Sequence, residues 1–205
     1  PQMFDDVYGA FITVKNAVLA EGFETNPILR GWTVIDNIAN ETSWTFNDPG
    51  GRGNLTGGSG QFAIADSAQV CAMMDTDLRS PLMDMTGKTG IVLRFKTDFY
   101  NTDGETADVD VSSDGGAAWT NVWRRTTNSR GPRTEEIDIS AYAGNRQNVM
   151  VRFHYYNASC MGWWQVDDVE IVAAADTVPP AIGKAATPAF KMKWGSYGWL
   201  AGQFD

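Results

Sequence analysis

Histidine occurs once in this 205-residue chain, at position 154, and cysteine only twice, at 71 and 160. That supply is too small for a zinc centre, which draws its four ligands largely from those two residue types. Long apolar runs are also missing. No window approaches the ~20 residues that a membrane helix requires, so membrane insertion is not expected. Residues 1–8 lack a basic start leading into an apolar stretch, as expected of a chain whose leader has been removed or that is cut from something longer. Positive charge is scarce: 16 Lys and Arg face 25 Asp and Glu, a net charge of -9. Such a field repels nucleic acid and attracts cations, which excludes nucleic acid as a partner.

What is present is aromatic and turn-rich: eight Trp, six Tyr, ten Phe and 21 Gly. These are strand and turn formers. Period-two alternation recurs at residues 11–14, 92–95, 108–111, 151–154 and 135–142. Between such segments lie turn sequences such as NDPGG at 47–51, TGKTG at 86–90 and DGG at 114–116. Many short strands without a long amphipathic helix predict an all-β fold, a two-sheet antiparallel sandwich. Residues 140–144 read as one short turn closing on Gly144. Near Ala173 the composition changes to an alanine run and the pair Pro179-Pro180, followed by Phe190, Trp194, Tyr197, Trp199 and Phe204. The expected division is a strand-like arm over 1–18, a domain over 19–172, and a linker with an aromatic arm over 173–205. The two cysteines each stand shortly before a strand, at 73–78 and 163–171, so neighbouring strands would bring them together. They form either a disulfide, adding roughly 3 to 5 kcal/mol, or two separately buried thiols.

Five segments in fixed order carry a family resemblance: EGFE at 21–24, GWTVID at 31–36, FAIADS at 62–67, DTDLRSP at 75–81 and WQVDDV at 164–169. Together they resemble the cleaved-adhesin and MAM-like group of bacterial extracellular jelly-roll modules, over about residues 19–172. The resemblance implies a jelly-roll sandwich, often with a structural calcium, acting in adhesion, targeting or domain packing rather than catalysis. Clustered carboxylates and carbonyl-rich loops suit Ca2+, which takes 6–8 oxygen ligands. The candidate ligands are Glu21, Glu24, Asp36, Asp167 and Asp168, with Asp66 beside them. The family pattern, a carboxylate on the first strand meeting one on the last, singles out Glu21 and Asp168. In the competing reading, one of Asp167 and Asp168 is satisfied by backbone donors or an arginine and the other is solvated.

Other motifs have blander readings. SSDGGAAW at 112–119 fits the Asp-box pattern, a tight hairpin with Trp119 packed beneath. Asp108 and Asp110 share a strand face and, with Asp103, form a second acidic stretch able to hold another cation at its loop end, although such carboxylates are more often solvated. Trp163 and Trp164 must point to opposite faces, one into the core. Trp164, Trp123 and Tyr156 are candidates for a carbohydrate surface that Trp119 would extend, against a reading as core anchors. His154 lies on the face opposite Val151 and Phe153 and has no visible nucleophile to serve. Three glycosylation sequons begin at Asn40, Asn54 and Asn157. The expectation is a non-catalytic, calcium-stabilised adhesion or binding module of a secreted or cell-surface protein, recognising protein or glycan. The alternative is a structural subunit of a fibre or surface assembly, self-associating through its termini.

Overall fold

Strand-forming segments with one apolar and one polar edge must bury the apolar edge, and two sheets stacked face to face do so. The computed structural model describes residues 15–102 and 104–174. Of the two expected terminal arms only residues 15–18 and 173–174 are described, and both pieces belong to the sandwich, the first strand beginning at Lys15 and the last ending at Ala174; the rest of those expectations lies outside the described residues.

The described strands are β1 (Lys15–Glu21), β2 (Thr33–Asp36), β3 (Ala63–Asp66), β4 (Met73–Arg79), β5 (Thr89–Tyr100), β6 (Thr106–Ser112), β7 (Thr120–Arg125), β8 (Ser129–Asp138), β9 (Met150–Ser159) and β10 (Trp163–Ala174). One sheet has the order β1-β10-β5-β8, with β3 also paired to β10; the other runs β2-β4-β9-β6-β7. Neighbouring strands are antiparallel throughout. The expected all-β sandwich is what the chain adopts.

Register explains the core. Val34, Leu78, Phe153, Val109 and Trp123 lie opposite one another across all five strands of the second sheet. Phe95, Phe99, Trp164 and Val166 of the first sheet are buried in the same cluster. Trp164 touches Trp44, Phe99, Trp123 and Phe153. It is fully buried and Trp123 nearly so, so neither offers a carbohydrate surface. Their parity in β10 and β7 points both rings inward, and truncating Trp164 to Ala should cost about 3–5 kcal/mol. The outward member of the tryptophan pair is Trp163.

Short elements close the ends. The Asp66 carboxylate accepts from Gln69 N and caps α1 (Ser67–Val70). The next residue, Cys71, is bonded to Cys160 in the β9–β10 turn, which settles the cysteine alternatives as a disulfide. The short turn at 140–144 is α2 (Ser140–Ala143), closed by Gly144 N donating to Ser140 O. Strand β8 stops at Asp138, before the expected 142, because Ser140 N donates to the Asp138 carboxylate and starts that turn. The hairpin at 112–119 forms as expected. Asp114 Oδ1 accepts from Ala117 N and Ala118 N, both at 3.0 Å, and from the Ser112 hydroxyl. Gly116, at φ 93°, lets Trp119 pack against it.

Candidate functional site

Two surfaces gather polar side chains, one at a break in alternation and the other on the outward face of regular strands. The first lies where β10 changes parity. Trp164 and Val166 point inward, but so do Val169, Ile171 and Ala173. The switch is a bulge between Asp167 and Glu170, with Asp168 in the left-handed region at φ 44°. Asp167 and Asp168 therefore both lie outside the core packing instead of alternating.

A glycine-rich loop covers this point. Asn54 Nδ2 donates to Asp167 Oδ2 at 2.8 Å, and Gln165 both accepts from Leu55 N and donates to Gly53 O. A Cβ on Gly58 would collide with the Asp167 carboxylate, and one on Gly60 with that of Glu24. Gly60, at φ 70°, also has the left-handed backbone that favours glycine. Burial raises the Asp167 pKa against the bonds from Asn54 and Asp168 N, and the nearby Asp168 and Glu24 carboxylates raise it further. Asp168 is half-exposed, with Lys96 Nζ at 2.8 Å. The same lysine donates to Gly57 O.

Glu21 ends β1, opposite Val169. Its Oε1 accepts from Phe23 N at 2.8 Å and from Arg30 at 3.2 Å. Its Oε2 is buried without a hydrogen-bond partner among the described residues. Glu21 and Asp168 border one open groove of about 320 Å3. Glu24 sits at the mouth of the covering loop and accepts from Gln61 N. Asp36 is elsewhere. It ends β2 in the second sheet, its carboxylate accepting from Ile38, Asn40 and Glu41 backbone N–H groups of its own loop. Asp66 is likewise engaged, with α1 and with Arg52. Four of the five predicted ligands thus share a region, and Asp36 does not join them. Asn54, the second sequon, serves as a loop staple, its amide on Asp167 and its oxygen on Thr56.

The second surface is the outer face of the second sheet. Register places two rows across it: Ile35, Asp77, His154, Asp108, Arg124, and beside it Thr33, Arg79, Arg152, Asp110, Asn121. Asp77, Asp108 and Asp110 are buried, the last two contrary to the reading of them as solvated, because arginines cover them. Arg124 makes a bidentate pair with Asp108 at 2.8 and 2.7 Å. Arg152 bridges Asp110 at 2.8 Å and Asp77 at 3.2 Å. Asn121 donates to Asp110 and Tyr156 to Asp108. Burial, then the Asp108 charge, raises the Tyr156 pKa and keeps its phenol a donor. His154 stacks on Tyr156 and bonds Asp75 at 2.8 Å. Arg152 and Arg79 lie over the Trp119 ring at 4.7 and 5.4 Å.

Asp108, Asp110 and His154 bring candidate ligand atoms within 4.8 Å of one another. Guanidinium groups already supply the positive charge there, so Asp108 and Asp110 work in an ion-pair network; Asp103, at the loop end of that acidic stretch, lies outside the described residues. Sequence reasoning had His154 on the face away from the core and named Tyr156 and Trp119 as candidates for an aromatic surface, and all three do lie on this face. It missed Arg79, Arg124 and Arg152, whose spacing on three strands becomes a pattern only once register is known.

No protein-family model and no curated protein sequence matches the chain. Solved structures do match in fold. The K3 cleaved adhesin domain of Lys-gingipain from Porphyromonas gingivalis is 21% identical, covering 78% of this chain and 99% of that one, with a TM-score of 0.56. The K1 cleaved adhesin domain of the same protein is 22% identical over 77% of this chain and 98% of its own, at 0.54. TmCBM61, solved in complex with β-1,4-galactotriose, is 14% identical over 76% and 97%, at 0.51.

Proposed function

We propose that this chain, which shares the fold of the cleaved adhesin domains, is a non-catalytic binding module of a secreted or surface protein that recognises glycan on the outer face of its second sheet. The observation carrying this reading is the pair of five-residue rows across that face, where buried aspartates fix the arginines beneath Trp119 and beside Tyr156. Donors held in place before the ligand arrives lose little entropy on binding. A pair of carboxylates serving glycoside hydrolysis needs one poised to give up a proton, whereas Asp108 and Asp110 each carry an arginine. The galactotriose complex of a fold relative supports the ligand class.

A structural calcium at Glu21 and Asp168 belongs to the same reading. Support comes from the orphaned Glu21 Oε2, from the groove those residues border and from the carbonyl-rich loop pressed on Asp167. The ion would satisfy the orphaned oxygen and draw the loop, β1 and β10 together, with Lys96 and Arg30 as its competitors.

The test is a glycan array followed by calorimetry on the full chain. Trp119→Ala and Arg124→Ala should each weaken binding about tenfold or more, measured at a temperature where circular dichroism shows each variant folded, since Trp119 also packs on Gly116 and stacks with two arginines. Undiminished binding in both variants, or glycan turnover by the parent protein, would overturn the proposal.

A further inference from the structure

Away from both surfaces, an open groove of about 440 Å3 is lined by Asn26, Ile28, Thr45, Phe46, Asn47 and Gln61. We infer that it is a second glycan site, selective for neutral sugars. Its size falls in the ~300–1,000 Å3 range of small-molecule sites.

Its lining decides the ligand class. Among the described residues none of the lining side chains is ionisable, and the carboxylate next to the lining, Glu24 on Gln61 N, is negative, so neither a carboxylated nor a sulfated sugar finds a counter-charge. Three carboxamides do border it. Asn26 uses its oxygen to cap the 3-10 turn through Ile28 N, leaving its amino group available. The side-chain amides of Asn47 and Gln61 make no hydrogen bond to another described residue. A carboxamide donates and accepts side by side, which matches adjacent hydroxyls that do the same. Phe46 and the 46% exposed Ile28 supply apolar surface for the C–H face of a sugar ring. The Phe46 ring is held by stacking on buried Phe23 at 5.7 Å, so the platform is fixed in advance.

A peptide fits less well. The Thr45 backbone is already paired with Ile64 in both directions, so the groove offers no free strand edge at that wall for main-chain recognition. The site is independent of the second-sheet face, whose lining is charged where this one is neutral.

The experiment is a nitrogen-15 NMR titration of the full chain with β-1,4-galactotriose, cellohexaose and xylohexaose, with oligogalacturonate and a neutral tetrapeptide as contrasts. At least one neutral sugar should shift the side-chain amide signals of Asn47 and Gln61. The double variant Asn47→Ala/Gln61→Ala should weaken that binding on the order of tenfold at unchanged melting temperature, since both residues are exposed. Trp119→Ala should leave these shifts intact, so loss of the second-sheet reading would not remove them. The inference fails if none of the three sugars moves the amides, if the double variant binds like the parent, if Trp119→Ala abolishes the shifts, or if oligogalacturonate or the tetrapeptide is preferred.

Discussion

On the outer face of the second sheet, Asp77, Asp108 and Asp110 lie buried beneath Arg79, Arg124 and Arg152. At the β10 bulge, by contrast, Asp167 has among the described residues only Asn54 and a backbone N–H, Asp168 has Lys96, and Glu21 has Arg30 on one oxygen and no described partner on the other. The same residue type is thus charge-compensated in one place and short of positive charge in the other. A buried carboxylate is costly unless matched, so the first arrangement stands by itself and the second invites an added cation.

The contrast breaks most severely if the compensated side loses a partner. Arg152→Ala leaves buried Asp110 with no described cation, only Asn121, and Asp77 with Arg79 alone, and should cost about 3 kcal/mol in urea unfolding, since removing one partner leaves buried charge behind. A loss below about 1 kcal/mol would show that water reaches these aspartates easily. On the other side, Ca2+ at about 100 times its dissociation constant should add about 2.7 kcal/mol and raise the melting temperature by about 5–10 °C relative to EGTA. An identical melt in both conditions would remove the calcium proposal. Glu21→Gln should abolish that calcium dependence while changing stability without calcium by less than about 1 kcal/mol, because Oε1 keeps its role for Phe23 N.

The smallest effects are in pH. Burial raises the Asp167 pKa, so ionisation opposes folding there; its contribution is present at low pH and lost as pH rises through the raised value. Asp114 has the opposite sign. The bond from Ala118 N, then that from the Ser112 hydroxyl, lowers its pKa. Its support for the hairpin is therefore present at neutral pH and lost as pH falls through the lowered value. Carboxyl titration by NMR should find the two displaced to opposite sides of the usual aspartate value, and a shared midpoint would contradict both.

Much of this was legible in the chain because it depends on neighbours in sequence. The hairpin at 112–119 rests on bonds within five residues, and the turn at 140–144 on backbone bonds from Tyr142, Ala143 and Gly144 to Ile139 and Ser140, so both could be read from local chemistry. His154 was placed on its face by parity alone. Trp123 and Trp164 were harder, since an aromatic in a strand suits a core and a sugar platform equally. Asp36 looked like a ligand by type and position, yet its carboxylate is consumed by its own loop.

The alternation of side chains, the turn residues and the lack of long helices fixed by themselves that this protein would be a two-layer β sandwich, because each of those signals acts over a few residues. Tertiary structure alone decided which acids are paired. The bulge that turns Asp168 outward, the glycine loop laid on Asp167, and the strand order that sets Arg152 between Asp77 and Asp110 join residues dozens of positions apart, and charge compensation depends on separation in space.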